Sequence, residues 1–142
     1  MQTDIRVELR SAPKLLRALR GLVRCYFLQN GFAEDRADEV VLAADEACAN
    51  AMRHAYGGRE DGPITVTLRS NDEWLEIELE DEGVPAPPDR LKRKEMTTPS
   101  REALSPGGLG VQLMYHVFDQ VTFSPGEEHG NCVTMRLYRP EA

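Results

Sequence analysis

Glu46, Asn50 and His54 recur every four positions in the stretch Glu46-Ala-Cys-Ala-Asn50-Ala-Met-Arg-His54. On a helix that spacing puts all three on one side. A carboxylate and an amide oxygen one turn apart can work together on a phosphate. The Asn50 oxygen suits magnesium, which prefers oxygen ligands and commonly bridges protein to nucleotide phosphates. The Glu46 carboxylate can take a proton from a water or hydroxyl attacking a terminal phosphate. His54 has no nucleophilic partner in view and reads as a packing or hydrogen-bonding residue. A plain solvated helix face would give the same pattern, so the triplet alone decides nothing.

Two later pieces bear on it. Asp81-Glu-Gly83 stands where an alternating apolar stretch ends. A carboxylate there can accept a hydrogen bond from an adenine amino group, and Gly83 lets backbone approach the ring. An ordinary acidic turn uses the same residues, and Glu82 reads as solvent-facing. Gly107-Gly108-Leu109-Gly110 precedes an apolar helical stretch. Closely spaced glycines expose backbone N–H groups, and a helix N-terminus favours phosphate. Turn formation would also explain them, and the GxxxxGK[ST] pattern is absent. The order of the three pieces, more than any one of them, raises a nucleotide site.

The elements that must position these residues are legible from periodicity. Ile5, Val7 and Leu9 alternate with polar residues and predict a first strand. Ser11 and Pro13 mark a helix start, Leu15 to Phe27 supply its apolar face, and Asn30-Gly31 stops it. A second helix runs from about Glu34 through His54, with Val40, Val41, Ala44, Cys48 and Ala51 inward. Ile64, Val66 and Leu68, then Leu75, Ile77 and Leu79, predict two strands around the polar turn Ser70-Asn71-Asp72-Glu73, with Asp81 just beyond the second. A proline-rich, charged stretch over 84–106 reads as a surface loop or lid, since so long a loop is uncommon unless functional or flexible. An apolar helix from Leu109 to Phe118 and strands around Val121–Phe123 and Val133–Leu137 complete the chain. The order β-α-α-β-β-loop-α-β-β favours one domain over residues 1–142, a two-layer α/β sandwich with helices on one face.

Composition bounds the alternatives. The 142 residues are 41% hydrophobic and 29% charged, a globular balance with room for a sizeable core. No apolar run is long enough to span a bilayer and Met-Gln-Thr-Asp is no signal peptide, so no membrane association is expected. A formal charge of -7 disfavours direct nucleic-acid binding. Cys25, Cys48 and Cys132 show no CxxC spacing and read as small buried apolar side chains in a reduced, cytoplasmic setting. The basic run Arg90 to Lys94 reads as a solvated face, or as a contact for phosphate or a partner.

Three stretches carry a resemblance: Asp45-Glu46-Ala-Cys-Ala-Asn50-Ala-Met-Arg-His54-Ala-Tyr56, Asp81-Glu-Gly83-Val-Pro85, and Gly107-Gly-Leu-Gly110-Val-Gln-Leu-Met114. From about Ile5 to Leu137 the chain resembles the GHKL ATPase superfamily, and more narrowly the bacterial anti-sigma-factor serine/threonine kinases of the RsbW and SpoIIAB type. The resemblance implies a Bergerat-type α/β sandwich with a mixed sheet. It implies ATP and Mg2+ as cofactors, with Glu46 as catalytic base and Asn50 as magnesium ligand. Asp81 would recognise adenine, Gly83 would shape the base pocket, and Gly108 and Gly110 would support phosphate binding and lid closure. Thr98 and Arg101 are further lid candidates.

The same resemblance implies transfer of the terminal phosphate to a serine or threonine of a small anti-anti-sigma protein. It implies a sigma factor as the other partner, and a homodimer assisted by the first strand. A nucleotide-binding regulatory module without kinase activity is the alternative. A detached histidine-kinase domain ranks lower, because no phosphoacceptor-histidine helix is left over.

Overall fold

Alternation of apolar and polar residues builds the sheet and chooses its buried face. The computed structural model describes residues 1–92, 108–125 and 130–140. Its elements are β1 (Gln2–Arg10), a short 3-10 turn (Pro13–Leu15), α1 (Leu16–Gln29), α2 (Glu34–Asn50), a π-helical turn (Ala51–Ala55), β2 (Pro63–Ser70) and β3 (Trp74–Asp81). After these come α3 (Pro88–Leu91), α4 (Gly108–Val117), β4 (Gln120–Pro125) and β5 (Asn131–Tyr138). Ile64, Val66 and Leu68 of β2, Leu75, Ile77 and Leu79 of β3, and Val133, Met135 and Leu137 of β5 are buried in one core with the apolar stripes of α1, α2 and α4. Burying each such side chain contributes about 1.5–3 kcal/mol.

The five strands lie in the order β1-β2-β3-β5-β4. Every pairing among the described residues is antiparallel, where a mixed sheet was expected. Because β3 and β4 are each antiparallel to β5, they run parallel to one another, as strands joined through a helix commonly do. β5 occupies the space between them, so that parallel relation never becomes a hydrogen-bonded pair. The two-layer α/β architecture itself is as the element order predicts. It is consistent with the Bergerat fold.

The uncovered face is polar but not loose. Glu76 is buried between Arg69, 2.9 Å away, and Arg136, 2.7 Å away. Trp74 stacks on Tyr138 at 5.0 Å between ring centroids, and the Arg136 guanidinium sits 4.7 Å over the Trp74 ring. The β2–β3 hairpin is fixed by Asn71, whose Oδ1 accepts from the N–H groups of Glu73 and Trp74.

Several expectations shift in detail. Asp81 is the last residue of β3 rather than one beyond it. The second helix ends as an α-helix at Asn50 and continues as the π turn. Cys48 is buried and its thiol is pushed up to about 12, chiefly by desolvation, so it stays protonated. Cys25 is exposed, against the expectation of burial, because it lies on the outer face of α1. Within the expected loop, Pro88–Leu91 forms a short helix. Residues 93–107, with the lid candidates Thr98 and Arg101, lie outside the described residues. No helix among the described residues is long and apolar enough to cross a membrane.

Candidate functional site

Two stripes of α2 and its π turn define the site. Ala47, Ala51 and Ala55 recur every four residues beside Glu46, Asn50 and His54. Three methyl-sized side chains leave room between helix and sheet. A small cleft of about 40 Å³ opens there, lined by the alanines together with Asn50, Asp81 and Asn131. Helix and strand thus bring an amide and a carboxylate from distant parts of the sequence into one concavity.

Asp81 closes one end, and its surroundings are extensively hydrogen-bonded. It is buried, and burial pushes its carboxyl above the ordinary carboxylate value against the lowering effect of hydrogen bonds from Asn131 and Gly83. Oδ1 accepts from the Gly83 N–H at 2.9 Å and from Asn131 Nδ2 at 3.0 Å. Oδ2 meets Asn131 Nδ2 only at 3.3 Å, which leaves it the freer acceptor. Asn131 also donates to the Val84 carbonyl at 3.0 Å and accepts from the Ala86 N–H at 2.7 Å. Gly83 lies against the helix end: a Cβ there would fall 2.2 Å from the Ala55 carbonyl oxygen. Only glycine permits that approach, and it lets the Val84 N–H reach the same carbonyl at 2.8 Å.

The other end is more open. Glu46 is half-buried one turn before Asn50, and a Cβ on Gly110 would come within 2.8 Å of its Oε2. The glycine at 110 therefore lets the N-terminal turn of α4 lie against the Glu46 carboxylate. Arg53 Nη2 lies 3.8 Å from Glu46 Oε2, both half-open to water, an arrangement worth little in stability. Neighbouring Asp45 faces away, bound by Arg20 at 2.6 and 3.2 Å. Asn50 Oδ1 is buried and has no hydrogen-bond partner among the described residues. An orphaned acceptor in a polar cleft costs about 1–3 kcal/mol and invites a cation or donor.

Asn50 and Asp81 therefore share the cleft, Gly83 shapes its wall, and Glu46 meets Gly110 beside it. Half-buried His54 sits on the π turn, and Gly108 opens α4. Sequence reasoning did not single out Asn131 or Arg53. Arg53 stands seven residues after Glu46, almost two full helical turns, so that spacing alone could have placed it on the same side. Asn131 opens a strand, and only its pairing with Asp81 across β3 and β5 reveals its role.

A family model described as a histidine kinase-like ATPase domain matches residues 9–137. Serine-protein kinase RsbW of Bacillus subtilis (strain 168) is 32% identical over 112 residues, covering 76% of this chain and 68% of the relative. RsbW of Bacillus cereus (strain ATCC 10987 / NRS 248) is 35% identical over 113 residues, with the same two coverages. RsbW of Listeria innocua is 29% identical over 143 residues, covering 97% of this chain and 88% of the relative. A solved structure, the RsbU and RsbW domains of Rv1364c from Mycobacterium tuberculosis, shares the fold with a TM-score of 0.64 at 17% identity. It covers 96% of this chain, which spans 34% of that one.

Proposed function

The chain belongs to the histidine kinase-like ATPase domain family, in the GHKL superfamily and related to RsbW-type kinases, and from that footing we propose that it is a Mg-ATP-dependent serine/threonine protein kinase. In this reading it holds a sigma factor inactive and phosphorylates a small anti-anti-sigma protein, so that phosphorylation decides which partner is free. The observation that carries the nucleotide part is the convergence of Asp81 and the unpaired Asn50 oxygen on one cleft.

Each residue has a defined task. Asp81 Oδ2 accepts from the adenine amino group, with Asn131 and the Gly83 N–H holding the carboxylate in place. Asn50 Oδ1 fits magnesium in both donor type and lack of partner; the ion would offset phosphate charge there. The N-terminal N–H groups of α4, which starts at Gly108 and includes Gly110, would stabilise the negative charge that develops in phosphoryl transfer. Glu46 orients the acceptor hydroxyl and takes its proton as the oxygen attacks the terminal phosphorus, whose bond to the bridging oxygen breaks to release ADP. Arg53 beside it offers a cation to the phosphates.

Incubating the protein with Mg-ATP and a purified candidate antagonist tests the proposal. Phosphoserine or phosphothreonine on the antagonist, lost with Glu46→Gln, is the expected result. ATP binding with no transfer or hydrolysis in the presence of cognate partners would instead support the inactive regulatory module. Dimerisation belongs to the same proposal: β1 is an edge strand with one face of its backbone unpaired in the sheet. Light scattering that gives a monomer at micromolar concentration would remove it.

A further inference from the structure

We propose that Tyr56 is a positioning residue for base recognition: its hydroxyl, held between the Pro63 carbonyl and the Glu82 N–H, sets the Asp81–Gly83 turn against the helix end that carries Asn50. The inference rests on the nucleotide reading of the cleft and adds a residue outside its lining. Tyr56 is buried. Its Oη accepts from the Glu82 N–H at 2.7 Å and donates to the Pro63 carbonyl. Desolvation raises the phenol above its ordinary value, so the proton needed for that donation is retained. Glu82 is exposed, and it is its backbone that is held.

The anchor is itself fixed. The Tyr56 N–H donates to the Ala51 carbonyl five residues back, closing the π turn, a feature frequent at functional sites. Gly62 lies against the ring: a Cβ at 62 would fall 2.4 Å from Cε1. Ser11 clamps the intervening loop, accepting from the Gly62 N–H at 3.0 Å and donating to the Arg59 carbonyl. One rigid segment, residues 50–56, thus carries the magnesium-suited amide at one end and the hydroxyl that registers the base turn at the other. The Ala55 carbonyl, bonded to Val84, is the second tie between the same two segments.

Tyr56→Phe keeps the ring against Gly62 and removes only the hydroxyl. Calorimetric titration of the full chain with Mg-ATP and with Mg-ITP, which lacks the amino group, reads the consequence. The expected result is a roughly five- to tenfold loss of ATP affinity, with ITP affinity within about twofold of wild type. The preference for ATP over ITP shrinks accordingly, and Tyr56→Phe has no further effect on that preference in an Asp81→Asn background. Equal losses for the two nucleotides would mean a general structural role and overturn the inference, as would no loss for either. A wild type that does not distinguish ATP from ITP would overturn the base reading itself. If the variant melts too low for titration, amide exchange at low temperature replaces it: Glu82 should exchange faster while β5 is unchanged. Unchanged exchange at Glu82 would overturn the proposal.

Discussion

The two ends of the cleft are built on opposite principles. At the Asp81 end, a buried carboxylate, the Asn131 amide, the Gly83 and Ala86 N–H groups and the Val84 carbonyl satisfy one another before any ligand arrives. At the Glu46 end, a half-buried carboxylate has a 3.8 Å contact with Arg53, and Asn50 Oδ1 is unpaired among the described residues. The difference follows from what each end would meet. A neutral base offers directional donors and acceptors, so discrimination needs groups already aimed, at the cost of burying a charge. Phosphates bring charge and a metal ion with them, and open polar groups can be completed by the ligand.

The largest effect should come from the open end. Glu46→Gln should lower phosphate transfer by roughly 10²–10⁴-fold, the usual worth of a positioned base, with ATP affinity changed only a few-fold. A quantitative phosphorylation assay at saturating ATP checks this, and near-wild-type transfer would remove Glu46 from the chemistry. Next is Asp81→Asn. Its Oδ1 can still accept from Gly83 and Asn131, but the group at the Oδ2 position becomes a donor facing the adenine amino group. ATP affinity should fall by roughly 10–100-fold in a folded protein, the value of one directional contact of about 1–3 kcal/mol. Retained affinity in that variant would mean the base lies elsewhere.

A smaller loss is expected on cutting the support. Asn131→Ala leaves Asp81, Val84 and Ala86 without a shared partner and should weaken ATP binding by roughly fivefold. It should also lower the melting temperature, whereas a thermal change with no change in binding would make Asn131 purely structural.

The mildest test is pH. Only ionised Asp81 accepts on both oxygens, and burial raises its carboxyl above the ordinary value. ATP affinity should therefore begin to fall on acidification at a pH above that of an ordinary aspartate, and the Asp81→Asn variant should lack that limb. The stability consequence has the opposite sign. A folded value above the unfolded one means that ionised Asp81 disfavours the fold, so this group's contribution is fully present below the unfolded value. It is lost as pH rises through the folded one. A wild-type binding profile identical to that of Asp81→Asn would contradict the assignment.

Much of this was legible in the residue pattern. The alternation of Ile64, Val66 and Leu68, and of Leu75, Ile77 and Leu79, placed two central strands because one face of each is apolar and the other polar. The spacing of Glu46 and Asn50 placed both on one helix. Antiparallel pairing of all the described strands was not legible, because insertion of β5 between β3 and β4 is a choice of sheet order, which local periodicity does not encode. Nor was exposure of Cys25, which depends on where the outer face of α1 points.

The division has a physical cause. Side-chain period, turn chemistry and the glycine clusters act over a few residues, so the chain alone specified the elements, their apolar faces, and Glu46, Asn50, Asp81, Gly83, Gly108 and Gly110 as candidates. Hydrogen bonds between groups far apart in sequence form only once the layers pack. The tertiary structure alone decided that Asn131 reaches Asp81 across the sheet, that Gly110 meets Glu46, and that Tyr56 joins the helix end to the Glu82 N–H.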